Sequence, residues 1–175
     1  YNPCTSVTNI TACGTAVSPT IASGTGVYGT SACGFSSPGK EMIYTFTPAT
    51  TGAYSIQQTA SYGYIDYQYK AVGTCNGTGW TCIDDLSGAS TSAGTFTLTA
   101  GTQYFILLDP ENTTGGAVSF NIVCPPTPPA NDNCSSATAF PTIPTNGNCA
   151  TLSNQSTANA SNSGVTPTGA CTTNS

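Results

Sequence analysis

Apolar and polar side chains alternate along residues 41–123 with a period of two. Met42, Tyr44 and Phe46, for example, alternate with residues 43, 45 and 47. Such alternation is typical of β-strands that turn one face toward a core. The same pattern recurs in four later stretches: Ile65/Tyr67/Tyr69, Phe96/Leu98, Tyr104/Ile106/Leu108 and Val118/Phe120/Ile122.

Turn-forming Gly and Pro residues interrupt these stretches about every ten residues, and no stretch shows an apolar stripe at helical spacing. Short strands at this spacing predict an all-β fold. We therefore predict an antiparallel β-sandwich with jelly-roll or Greek-key connections.

The cysteine spacing indicates a tandem repeat. Cys4, Cys13 and Cys33 align with Cys134, Cys149 and Cys171, and a Pro-rich stretch lies between the two copies. This alignment predicts a complete module at 1–124, a linker at 125–130, and the N-terminal part of a truncated second copy at 131–175. The first copy has six cysteines and the second has three, so truncation explains the odd total of nine.

The second copy has too few apolar residues to bury a core of its own. We expect residues 131–175 to form main-chain hydrogen bonds outside their own segment, by packing on the first copy or by adding strands to a neighbouring chain. Because the sequence starts at Tyr1 without an export signal, we also expect a mature or excised segment.

Charged residues make up only 5% of the chain, with two lysines, seven acids and no histidine. So few bases exclude a nucleic-acid surface. The longest apolar run, 104–108, is too short to insert into a membrane. Nine cysteines without histidine favour disulfides in an oxidising compartment, which predicts a secreted, cell-surface protein.

Only one cysteine pairing follows from local spacing. Cys75 and Cys82 enclose six residues that include Gly77 and Gly79, so we predict that a tight hairpin joins them and that Trp80 covers the bridge. The pairing of the other four cysteines stays open, with a preference for bridges that fasten the N-terminal segment to the sandwich. These four are Cys4, Cys13, Cys33 and Cys124.

Several segments resemble the bacterial pre-peptidase C-terminal domain: Glu41–Phe46, Thr51–Ile56, Tyr64–Tyr67 and Leu98–Leu107. The cysteine-rich form is most similar to tandem modules in surface proteins of flavobacteria, many of them exported by the type IX pathway. The resemblance implies a small jelly-roll-like sandwich. It also implies an accessory module without catalytic residues.

Four acids late in the first copy predict a calcium site, because Ca²⁺ prefers carboxylate oxygens. They are Asp84, Asp85, Asp109 and Glu111. The alternative is that these carboxylates accept backbone N–H groups in turns. Asp66, within a Tyr-rich strand, is interpreted as a structural acceptor.

A cluster of aromatic residues suggests a second kind of site, because sugars stack on aromatic faces, although about half of its tyrosines are expected to fill the core. Tyr62, Tyr64 and Trp80 are the candidates for contact with a polysaccharide. Catalysis is not expected, because no histidine is present and the adjacent Asp84 and Asp85 would project to opposite faces of a strand.

These features predict a non-catalytic structural or adhesive repeat of an extracellular fibre or large cell-surface protein, with neighbouring copies of the chain as partners. The alternative is an accessory carbohydrate- or substrate-binding domain of a secreted hydrolase.

Overall fold

A computed structural model describes residues 1–88, 91–92 and 94–127. The residues from Tyr1 to Pro125 form one compact unit. A single-turn 3₁₀ helix at Pro3–Thr5 precedes the strands. The strands are β1 (Thr8–Ile10), β2 (Thr20–Ile21), β3 (Thr25–Thr30), β4 (Ser36–Gly39), β5 (Met42–Phe46), β6 (Gly52–Ala60), β7 (Ile65–Ala71), β8 (Thr81–Leu86), β9 (Thr91–Ser92), β10 (Phe96–Leu98), β11 (Tyr104–Pro110), β12 (Gly116–Ala117) and β13 (Ser119–Val123).

Two main sheets form the fold. The five-stranded sheet has the order β1-β5-β11-β7-β8. In the other sheet β6 lies between β10 and β13 and also pairs with β9. Two small ladders, β2 with β12 and β3 with β4, complete the unit. The predicted all-β sandwich is confirmed.

Most strand pairs are antiparallel, as predicted, but β1 runs parallel to β5. Antiparallel neighbours can be joined by short hairpins, whereas parallel neighbours need a long connection. Here more than thirty residues, including the β3–β4 ladder, separate the paired Thr8 and Tyr44.

The main core lies between the two sheets. Phe120 of the smaller sheet makes edge contacts with Tyr44 and Tyr67 of the larger one, at centroid distances of 5.6 and 5.5 Å. Phe46 and Tyr54 make a similar contact at 5.8 Å. These rings are buried together with the alternating apolar residues of β11 and β13, as the period-two pattern requires.

The opposite face of the larger sheet is covered as well. Ile43, Phe105 and Leu107 form a second, smaller buried cluster there. Tyr28 of β3, Trp80, and the paired Cys4 and Cys75 pack against it. We call this covering the outer layer and the face beneath it the outer face.

Within the described residues, no helix is long and apolar enough to span a membrane. Residues 128–175 lie outside the described part. The predicted second copy at 131–175, the end of the 125–130 linker, and the expected hydrogen bonds of the second copy therefore stay predictions.

Candidate metal centre

The outer face carries a row of acidic residues across adjacent strands. Asp66 in β7 pairs with Asp85 in β8 on one side and with Asp109 in β11 on the other. Directly paired residues project from the same face of a sheet, so the three carboxylates lie side by side. Glu41 extends the row, because it precedes Met42, the partner of Leu108. Asp66 and Asp109 are fully buried, and Glu41 is only 1% exposed.

Asp66, Asp85 and Glu111 form the tightest group in this row. One carboxylate oxygen from each lies within 4.8 Å of the other two. Oxygens bound to a single Ca²⁺ at 2.3–2.6 Å lie no more than about 5 Å apart. The three acids therefore have the spacing of a shared cation site, to which we refer as the acid triad.

The local structure fixes each member of the triad. Ser37 donates its hydroxyl to Asp66 Oδ2 at 2.8 Å. Glu111 directly follows β11, and its backbone N–H donates to the carbonyl of Tyr64 at 3.2 Å, which holds it beside the start of β7. Asp85 reaches the group through its register with Asp66.

One oxygen of each triad residue is buried and lacks a hydrogen-bond partner among the described residues. These atoms are Asp66 Oδ1, Asp85 Oδ1 and Glu111 Oε1. Burial, then the charges of Asp66, Glu111 and Asp84, raise the pKa of Asp85 to about 6. Burial and Asp66 also raise the pKa of Glu111. The site therefore favours a proton or a bound cation over three free charges.

A second acidic pair, Glu41 and Asp109, lies at the other end of the row. Glu41 Oε1 accepts the backbone N–H groups of Val27 and Tyr28. Gly26 permits this approach, because a Cβ there would lie 2.6 Å from Glu41 Oε2 and 2.0 Å from the Gly39 carbonyl oxygen.

Asp109 has a weaker set of partners than Glu41. Its Oδ2 accepts from Gln68 Nε2 at 3.1 Å. Burial, followed by the charge of Glu41, raises the pKa of Asp109 to about 8. Asp109 is therefore largely protonated at neutral pH when no cation is nearby.

The predicted calcium ligands are thus only partly brought together. Asp85 and Glu111 belong to the acid triad, whereas Asp84 and Asp109 do not. Asp84 pairs with Tyr67, one position out of phase with Asp85, and so points to the opposite face. It accepts the backbone N–H groups of Asp85 and Gly94, which is the turn-acceptor alternative.

Asp66 completes the triad in place of Asp84 and Asp109. The sequence favoured a structural role for it, and its bond from Ser37 is of that kind. Its second oxygen nevertheless belongs to the group. Only the register of β7 with β8, which no local pattern encodes, reveals this.

The predicted bridge between Cys75 and Cys82 is wrong. Cys75 pairs with Cys4, and Cys82 pairs with Cys33. The hairpin formed by β7 and β8 places Cys82 opposite Gln68, while Cys75 lies in the connecting loop. This loop wraps around Lys70, whose ammonium donates to the carbonyls of Asn76 and Thr78.

The third bridge joins Cys13 to Cys124. All three bridges link the first 33 residues to later parts of the chain, which confirms the preferred arrangement. Trp80 packs on the same apolar cluster as the paired Cys4 and Cys75.

The three aromatic candidates for sugar stacking do not form one platform. Tyr64, 51% exposed, precedes the start of β7, whereas Trp80 lies beside Lys70 near its end, about 20 Å away at the usual strand rise. Tyr62 packs against the main core. Trp80 is held by its indole N–H, which donates to the Asn76 carbonyl at 2.9 Å.

Comparison with known proteins finds no matching family model and no matching curated protein. Several solved structures match. One is the pre-peptidase C-terminal domain of a collagenase from Bacillus anthracis, with a TM-score of 0.44 and 12% identity over 67% of this chain and 94% of that domain.

Two other matches have lower TM-scores. PliG from Aeromonas hydrophila, a periplasmic inhibitor of g-type lysozyme, has a TM-score of 0.40 and 12% identity over 66% of this chain and 96% of that one. The GH26-CBM35 β-(1,4)-mannanase of Podospora anserina has 0.31 and 16% identity over 65% and 29%. A pre-peptidase C-terminal domain is thus among the solved structures that match.

Proposed function

We propose that this chain is a non-catalytic structural or adhesive module that transmits tension along an extracellular fibre or a large cell-surface protein. Its three disulfide bonds indicate an oxidising compartment, and therefore an extracellular or envelope location. The main support for the proposal is the position of one of these bonds, the one between Cys13 and Cys124.

The bond between Cys13 and Cys124 connects the two ends of the compact unit. Cys13 lies shortly after β1, and Cys124 directly follows β13, the last strand. A pull on both ends is transmitted through residues 1–13, across the two sulfur atoms, and into the chain after Cys124. Residues 14–123, which include nearly the whole core, lie outside this covalent path.

The consequence is a module that resists extension. The bridge encloses a sequence separation of 111 residues. Fully extended, that length would add about 370–400 Å at 3.3–3.6 Å per residue. With the bridge intact, tension reaches only the short N-terminal segment, part of which is pinned by the Cys4–Cys75 bond and by pairing of β1 with β5.

This property suits a protein whose modules are joined in series. The sequence predicts such a series, with Pro-rich spacers between cysteine-matched copies. Neighbouring copies of the chain are accordingly the partners that we propose. A chain of such modules would hold its length under load.

Force spectroscopy on the full chain, held between marker domains of known unfolding length, tests the proposal. We expect reduction of the disulfides to add about 370–400 Å of extension relative to the oxidised chain. Changing Cys134, Cys149 and Cys171 to Ala in the tested chain ensures that reduction acts on the three described bridges alone. An oxidised chain that already releases this length would contradict the proposal.

Two double variants localise the effect. Cys13→Ala/Cys124→Ala should release about 160–180 Å in oxidising buffer, because the Cys4–Cys75 bond still protects residues 5–74 and only the chain from Cys75 to Cys124 can extend. Cys33→Ala/Cys82→Ala is the matched control, because both of its cysteines lie inside the protected segment. It should remain inextensible although it is less stable.

An accessory carbohydrate- or substrate-binding domain remains the second candidate, and one observation favours it. A cavity of about 210 Å³ on the outer face is lined by Tyr28 and Trp80, together with the polar side chains of Gln68 and Asp109. Aromatic walls with buried polar groups suit a sugar ring.

A titration with soluble polysaccharides tests this second function. Trp80→Ala should abolish binding, and Tyr64→Ala, at the far end of β7, should preserve it. Equal binding by both variants, each with its fold verified by circular dichroism, would eliminate the cavity as the site.

A further inference from the structure

The acid triad brings together three carboxylates whose negative charges lie close to one another. Asp66 is fully buried, and one of its oxygens has no hydrogen-bond partner among the described residues. Buried polar atoms are nearly always paired, and a buried charge without a partner is costly. Two further carboxylates with unpaired oxygens lie within 4.8 Å. Such a group of carboxylates is stabilised when a positive charge lies beside it.

The chain offers little positive charge of its own. Lys40 and Lys70 are its only basic side chains. Lys70 donates to Asn76 and Thr78 and stands 4.4 Å above the Trp80 ring. Lys40 stands 5.5 Å above the ring of Tyr1. Both ammonium groups therefore have other partners, so the missing charge must come from solution.

We infer that Asp66, Asp85 and Glu111 bind a calcium ion that joins β7, β8 and the end of β11. The donors are all carboxylate oxygens, which Ca²⁺ and Mg²⁺ prefer and zinc or copper sites rarely use alone. Asp85 and Glu111 are partly exposed, so water can complete the coordination. Ca²⁺ tolerates such an irregular set, whereas Mg²⁺ demands near-octahedral geometry.

The ion would act on stability and not on chemistry. The bound ion would attract all three carboxylates and so offset their mutual repulsion. It would also connect the edge strand β8 to the centre of the sheet. Extracellular modules typically bind Ca²⁺ with dissociation constants near 10⁻⁴–10⁻³ M. This inference is independent of the proposed tension-carrying function, since it concerns other residues.

Titration calorimetry and thermal melting of the full chain test the inference, with Ca²⁺ added after treatment with EDTA. We expect a measurable binding heat and a rise in Tm of about 5–10 °C at about 10 mM Ca²⁺. Mg²⁺ at the same concentration should give a much smaller rise. Absence of binding heat and of any shift, or an equal shift with both ions, would overturn the inference.

Conservative variants show whether the triad is the site. Asp85→Asn and Glu111→Gln should abolish the calcium-dependent rise in Tm. In EDTA both should melt at or above the temperature of the unaltered chain, because each removes a repulsive charge. That second readout separates lost binding from a damaged fold.

Asp84→Asn is the matched control. It changes the neighbouring carboxylate, which points to the opposite face, and should retain the full calcium response. If Asp84→Asn abolishes the response as completely as Asp85→Asn, the ion is bound elsewhere and the inference is wrong.

Discussion

The two faces of the five-stranded sheet are built on different principles. The face toward the smaller sheet is apolar, and large rings such as Tyr67 and Phe120 pack on it. The outer face is equally buried along β7 and β11, yet it carries Asp66, Gln68 and Asp109. One face is stabilised by hydrophobic burial, whereas the other depends on disulfides and on compensation of its charge.

The thin covering of the outer face explains why two of the three bridges lie there. The outer layer covers only a small apolar cluster, Ile43, Phe105 and Leu107. Hydrophobic burial contributes about 25 cal/mol per Å² of apolar surface. Because the cluster is so small, its burial stabilises the outer layer only to a limited extent. The bonds from Cys4 to Cys75 and from Cys33 to Cys82 both fasten this layer to the sheet or its loops.

Truncation of a core ring should have the largest effect. Phe120→Ala is expected to lower the free energy of unfolding by about 3–5 kcal/mol, because it removes a fully buried ring and leaves a cavity. Phe105→Ala on the outer face should cost less, near the low end of that range at about 3 kcal/mol, since the thinner layer above it can settle into the gap. Urea denaturation measures both. Equal losses would show that the two faces do not differ.

Removal of an outer-layer bridge should come next. Cys33→Ala/Cys82→Ala is expected to cost about 2–4 kcal/mol, because the loop closed by this bond spans 49 residues. Proteolysis should then begin within residues 22–40 and not in the main core. Initial cleavage within β11 or β13 would instead indicate that the bridge supports the whole sandwich.

The pH dependence of stability without metal should be smaller but diagnostic. The pKa of Asp85 is raised to about 6 and that of Asp109 to about 8, from ordinary values near 4. Between about pH 4 and about pH 8 the folded chain therefore binds more protons than the unfolded chain. In EDTA the Tm should therefore fall as the pH rises from about 4 to about 8. A Tm that rises through this window would contradict the assigned charge states.

The smallest effect concerns the loop between β7 and β8. Lys70→Met should cost about 0.5–1 kcal/mol, because the freed carbonyls of Asn76 and Thr78 can still bond to water. Hydrogen exchange should accelerate in residues 76–80 while β11 stays protected. Faster exchange throughout β11 would show that this loop does more than cover the outer face.

Much of the sandwich is predictable from local pattern, and the outer layer is not. Strands β5, β7, β10, β11 and β13 follow from period-two alternation, since each has a face in the main core. Strands β3 and β4 are rich in Gly, Ser and Thr and carry no such signal. Their place is set by long-range contacts such as the bond from Ser37 to Asp66.

The sites illustrate the same limit. Spacing suggested that Cys75 and Cys82 close a hairpin, but six cysteines allow fifteen pairings and only the fold selects among them. Likewise, two pairs of acids, Asp84 with Asp85 and Asp109 with Glu111, were expected to converge from neighbouring strands. Strand alternation removes Asp84 from the group, and the register of β7 with β8 brings in Asp66.

A disulfide map of the oxidised chain tests the central claim most directly, because both the covalent path and the outer layer depend on the pairing. Digestion under non-reducing conditions followed by mass spectrometry should link Cys13 to Cys124, Cys4 to Cys75, and Cys33 to Cys82. A peptide linking Cys75 to Cys82, or Cys13 to any residue other than Cys124, would contradict the account.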